Sequence, residues 1–122
     1  MYAAEPSDFN DLERSLASGK YETNSNEARS ICDAILTPTP GKLTFPINQK
    51  FLTASLTVTD VEVKEAIRVA FDKLKLVVEP GGVVGLAAAL TGKLNCKAKT
   101  SIIVLSGGNI DADLFAEILG TS

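Results

Sequence analysis

Residues 101–111, SIIVLSGGNID, run four consecutive apolar side chains straight into a serine, two glycines and an asparagine. Such a continuous, β-branched run predicts a parallel strand covered on both faces. The glycines that end it predict either a plain turn or a surface on which a ligand lies against the backbone. A helical pattern over 112–119 follows at once. In open parallel sheets, ligands collect beyond the carboxyl ends of the strands, and SGGN stands at such a place.

The segments before this strand repeat the alternation of strand and helix. The run 83–90 is apolar all round, as in a helix buried on most sides. Glu79, Pro80, Gly81 and Gly82 precede it, Gly92 ends it, and a basic loop with Lys93, Lys97 and Lys99 leads on. Leu76, Val77 and Val78 form a brief extended piece. Thr59 is followed three residues later by Glu62, the capping-box spacing, with Val58 and Val63 placed as a hydrophobic staple. The helix so begun carries Val63, Ala66, Ile67, Ala70, Phe71 and Leu74 on one face, and Leu56, Thr57 and Val58 make a short strand before it.

Nearer the start, residues 1–4 read as a strand stopped by Glu5 and Pro6. Ser7 is expected to cap a helix through Phe9, Leu12 and Leu16 that ends near Gly19. A short helical pattern passes through Ala28, Ile31, Ala34 and Ile35. Residues 37–41, TPTPG, form a rigid loop, and a helix is predicted from near Pro46 to about Ala54. The class is α/β, and the 122 residues suit a single domain.

With 45% hydrophobic and 22% charged residues, the chain can bury a core. The net charge of −3 and scattered lysines and arginines speak against nucleic acid as a partner. No apolar run is long enough to cross a bilayer, and residues 1–5 lack the marks of a signal peptide; a cytoplasmic protein with no membrane partner is expected. Histidine is absent, which excludes a Ser-His-Asp triad and histidine-based zinc sites. Cys32 and Cys96 lack the spacing of a metal knuckle or a redox pair and read as free thiols.

Three polar sites stand in apolar surroundings. The first is SGGN itself. The second is Glu79, a carboxylate between an apolar strand and an apolar helix; burying it unpaired costs several kcal/mol, so it reaches water, finds a partner or serves the helix dipole. The third is EPSDFND at residues 5–11, where two carboxylates six residues apart straddle a turn with backbone carbonyls between them. That donor set suits Mg²⁺, Mn²⁺ or Ca²⁺, although acidic residues in a first helical turn also occur without an ion.

AAEPSDFND, TVTDVEVKEAI, KLVVEPGGVVGLAAAL and IIVLSGGNID, taken in this order, resemble the C-terminal part of the threonine/serine dehydratase and serine racemase family. These are pyridoxal-phosphate (PLP) enzymes of the tryptophan-synthase-β, fold-type-II class. The resemblance implies the C-terminal part of a three-layer large domain, with a short, mostly parallel sheet flanked by helices. It also implies that the Ser106 hydroxyl meets the pyridine nitrogen of the cofactor, that Gly107 makes room for the ring and that Glu79 lies near it. Glu5 and Asp11 match the side-chain ligands of a structural divalent cation in many members. Phe9 would add its backbone carbonyl, at a position where many members carry a small residue.

The Schiff-base lysine of that family sits in an S-F-K-type motif, and none of the nine lysines here has such surroundings. The tetraglycine phosphate loop and the asparagine loop over the substrate are missing too. Met1 falls within the first strand, as expected of a truncated chain. Three readings follow: an inactive C-terminal fragment of a dehydratase or racemase; a non-catalytic oligomeric or metal-binding module; and a complementing fragment that needs an N-terminal half as partner. Uncovered faces and an open sheet edge predict a homodimer or larger assembly, with 83–90 or 101–105 at or near the contact.

Overall fold

A computed structural model describes residues 1–120. Two strands, β1 (Tyr2–Pro6) and β2 (Ala54–Val58), pair in parallel from Tyr2 opposite Ala54 to Pro6 opposite Val58. Parallel neighbours require a long crossover. Here it contains α1 (Asp11–Ser18), a 3₁₀ turn at Asp33–Ile35 and α2 (Phe45–Phe51). After β2 come α3 (Asp60–Val69) with a π-turn at Ala70–Leu74, α4 (Pro80–Leu90) and α5 (Ala112–Gly120).

The predicted capping box starts α3. The Glu62 N–H donates to Thr59 Oγ1 at 3.3 Å, and the Thr59 N–H donates to Glu62 Oε2 at 2.7 Å. The helix buries Val63, Ala66 and Ile67 against α4. Every face of α4 is apolar, and Val83, Val84, Ala87 and Ala88 are all buried. They lie between α3 on one side and the two strands on the other, so the helix predicted at 83–90 is the middle of the core. Ile118 of α5 closes that core from outside and is fully buried.

Several expectations are corrected. Ser7 caps nothing: Ser7–Phe9 is a 3₁₀ turn, and α1 starts only at Asp11. The pattern through Ala28 to Ile35 forms no helix beyond the turn at Asp33–Ile35. There, the Asp60 carboxylate takes the Ser30 hydroxyl at 2.6 Å and the Ile31 N–H at 3.1 Å, so the segment is held by a group beyond its own backbone. The helix expected to reach Ala54 stops at Phe51, because Ala54 already belongs to β2. Residues 101–105 form no strand and pair with none among the described residues, and their coverage is uneven: Ile102 is 91% and Val104 is 73% exposed. Apolar composition favours burial but does not place a neighbour beside a strand. Among the described residues, no helix is long and apolar enough to cross a membrane.

Candidate functional site

The EPGG and SGGN stretches interlock. The Glu79 N–H donates to the Gly107 carbonyl at 3.0 Å, and the Ser106 N–H donates to the Gly82 carbonyl at 3.4 Å. The Glu79 carboxylate accepts the Asn109 N–H through Oε2 at 2.9 Å. Close approach is what the glycines supply. A Cβ on Gly82 would lie 2.9 Å from both the nitrogen and the oxygen of Gly107, and one on Gly107 would lie 2.6–2.8 Å from the Glu79 carboxyl group. The space left by the missing Gly107 side chain is therefore filled by Glu79.

Of the alternatives for Glu79, the structure shows a partner, the Asn109 N–H. Glu79 is the N-cap residue of α4, yet its side chain makes no capping bond to that helix. It holds the backbone of the neighbouring loop instead, and it is not among the residues lining the adjacent cavity.

That cavity measures about 620 Å³. Ser106, Gly81 and Gly82 line it at one end, where α4 begins, while Ala88, Leu94 and Ser101 line the region where α4 ends. Ser106 is exposed, and its hydroxyl has no hydrogen-bond partner among the described residues, so it is free to donate to or accept from a guest. Lys99 also lines the cavity, next in sequence to Thr100 and Ser101 and seven residues before Ser106.

At the end of β1, Glu5 and Asp11 come together as two buried carboxylates, 9% and 4% exposed. Glu5 Oε1 accepts the Leu12 N–H at 2.9 Å, and Oε2 accepts the Glu13 N–H at 2.9 Å and the Ser55 hydroxyl at 2.5 Å. Glu5 thus satisfies the first-turn amides of α1, the task expected of Ser7. Asp11 Oδ1 accepts the Asn24 amide at 2.7 Å. Burial pushes the Glu5 carboxyl above the ordinary carboxylate range; bonds from Ser55, Leu12 and Glu13 oppose that, and the charge of Asp11 adds to it. Phe9 closes the turn between the two acids. Among the described residues, no three His, Cys, Asp or Glu side chains cluster as metal ligands; a cation here would draw on the acid pair and a backbone carbonyl. Ser55 and Asn24 were not anticipated. The sequence signal for Ser55 was a small hydroxyl residue in an otherwise strand-like run that also holds Thr57.

A family model described as pyridoxal-phosphate-dependent enzyme matches residues 1–107. Serine racemase from Dictyostelium discoideum is 36% identical over 124 residues, which covers 98% of this chain and 37% of that protein. L-threo-3-hydroxyaspartate ammonia-lyase from Pseudomonas sp is 34% identical, with the same 98% and 37% coverage. The threonine deaminase of T.th. superposes with a TM-score of 0.83 at 34% identity, over 90% of this chain and 40% of that one. The chain thus spans little more than a third of the length of the curated relatives it matches. From these matches and the α/β arrangement of its helices around parallel strands, the chain belongs to the pyridoxal-phosphate-dependent enzymes of fold type II, in the family of threonine/serine dehydratases and serine racemases.

Proposed function

We propose that this chain is the part of a PLP-dependent ammonia-lyase or racemase that meets the ring-nitrogen edge of the cofactor, through Ser106, and that it is inactive alone. The observation that carries this is the Ser106 hydroxyl, free of protein partners, at the end of the cavity beside α4. The cavity and that hydroxyl fit a flat heteroaromatic ring. When bound, the cofactor supplies a sink for negative charge at the substrate α-carbon. A serine hydroxyl keeps its own proton, so Ser106 would hydrogen-bond the ring nitrogen without protonating it. That weakens the sink and favours loss of a β-hydroxyl from serine, threonine or hydroxyaspartate, ending in a keto acid and ammonia. Glu79 would keep Ser106 in place by holding the Asn109 amide.

Inactivity follows from the missing lysine and phosphate loop. Treatment of the isolated chain with PLP and borohydride is expected to give no lysine adduct at a unique site; one specific adduct together with keto-acid production would overturn the claim. For Ser106, the test is PLP affinity after an N-terminal portion of a relative has been added. Ser106→Ala is expected to weaken it about tenfold and Ser106→Thr to preserve most of it; equal affinity for wild type and Ser106→Ala would refute the role.

A second reading is favoured by the paired acids: a divalent-cation site on Glu5, Asp11 and the Phe9 carbonyl. A cation would offset the repulsion between the two carboxylates. Millimolar Mg²⁺, Mn²⁺ or Ca²⁺ is expected to raise the Tm of the wild type by mass action and to leave Asp11→Asn unmoved; identical responses of both proteins would dismiss the site. We also place the chain in the cytoplasm, where Cys32 and Cys96 stay reduced.

A further inference from the structure

We propose that a second, polar pocket, beyond the carboxyl ends of both strands, binds a free α-amino acid whose side chain is small and polar. It shares no residue with the cavity at Ser106, and its chemistry is independent of the cofactor.

Strand β1 ends at Pro6 and β2 at Val58. Pro6, Ser7 and Asp8 line the pocket from the first strand, Thr59 and Asp60 from just after the second. Ligands collect at such places in parallel sheets. Arg29 and Ser30, from the crossover between the strands, complete the lining. The volume is about 250 Å³. That lies below the roughly 300–1,000 Å³ typical for drug-sized guests and suits a small metabolite.

Charge selects the guest. Arg29 Nη1 donates to the Asn26 carbonyl at 3.0 Å and to the Ala28 carbonyl at 2.6 Å, whereas Nε and Nη2 have no partner among the described residues. Such an edge is a fork that takes a carboxylate with two parallel hydrogen bonds. Two acids oppose it in sign. Asp8 is exposed and has no partner among the described residues. The oxygens of Asp60 accept the Ser30 hydroxyl and the Ile31 N–H and keep further acceptor capacity. A phosphate would meet two carboxylates, and a metal ion or a simple amine would meet a guanidinium. One carboxylate and one ammonium on the same small molecule answer all three groups.

Hydroxyls select the side chain. Ser7, Ser30 and Thr59 line the pocket, with Pro6 the one apolar residue of its lining. Ser7 has no side-chain partner among the described residues. The Thr59 hydroxyl accepts the Glu62 N–H and keeps its own proton to donate. A hydroxyl on the guest would be bonded here, whereas the side chain of leucine would cover these groups without bonding them.

The test is a titration of the ¹⁵N-labelled 122-residue chain with L-serine, followed by amide NMR. Amides of 7–8, 29–31 and 59–60 are expected to shift together and to saturate, with a Kd of about 1 mM. Glycolate lacks the ammonium, ethanolamine the carboxylate and L-leucine the hydroxyl; each is expected to bind at least about tenfold more weakly. Arg29→Gln and Asp8→Asn are each expected to weaken L-serine by a similar factor. The Asp8 side chain makes no bond among the described residues, so Asp8→Asn decides the matter if Arg29→Gln disturbs its loop. Shifts that never saturate, equal binding of any of the three analogues, an unchanged Kd in Asp8→Asn, or the same amides answering Mg²⁺ and not L-serine would each overturn the site. Shifts confined to residues around Ser106 would overturn it as well, while failure of PLP uptake bears on Ser106 alone.

Discussion

Cys32 and Cys96 differ in what surrounds them. Cys32 is fully buried, and its thiol is pushed up to about 11, chiefly by burial. A Ser30 hydrogen bond opposes the shift, and the charges of Asp60 and Asp33 add to it. Because the folded value exceeds the ordinary 9.0, the fold favours the neutral thiol. Its contribution to stability is complete below pH 9 and is lost as pH rises towards 11. Iodoacetamide at pH 8 is expected to modify Cys96 and spare Cys32 until denaturant is added, as peptide mapping would show. Across that alkaline window, the urea midpoint of wild type is expected to fall further than that of Cys32→Ala. The glycines at the interlocked loops allow an ordered prediction. Gly82→Ala sets a Cβ against Gly107 backbone, whereas Gly107→Ala meets the tip of Glu79. A side-chain tip can swing away and backbone cannot. Gly82→Ala should therefore destabilise by about 1–3 kcal/mol despite the better helix propensity of alanine, and Gly107→Ala by less. Urea denaturation showing the opposite order would contradict the packing described.

Helices α1 and α3 are started in different ways. Thr59 and Glu62 satisfy two amides of α3 within four residues of sequence. Thr59→Ala is expected to cost about 1 kcal/mol and Thr59→Ser much less, read as shifts of the urea midpoint. For α1 the acceptor is Glu5, seven residues before the Leu12 amide. This carboxylate also meets Ser55, fifty residues away on β2, so it ties the start of the helix to the sheet. The capping box was legible because it repeats at fixed spacing; the role of Glu5 was not, because it depends on β1 and β2 lying side by side. In the same way, the helical spacing from Ala28 to Ile35 was genuine, but Asp60 offered Ser30 and Ile31 stronger partners than a helical turn would.

Across the whole chain, apolar side chains remain in contact with water. Leu43 is 87%, Val61 76% and Ile102 91% exposed. We propose that the chain forms a homodimer or larger assembly through such surfaces. Light scattering at high protein concentration should report more than one copy; a clean monomer there would refute this. The predicted involvement of 83–90 is limited by its position, since Val83 and Ala87 are fully buried within the chain.

Features settled within a few neighbouring residues could be read directly: the cap and apolar face of α3 and the all-round apolar character of α4. Each depends on spacing that the helix or turn geometry itself imposes. The tertiary structure decided the rest. It turned Glu79 towards an amide thirty residues away, brought Glu5 and Asp11 into one buried pair, and left 101–105 without a paired strand among the described residues. The reason is physical: local periodicity records which face of an element is apolar, whereas the partner of a buried carboxylate or of a strand edge is set by the path of the chain between them.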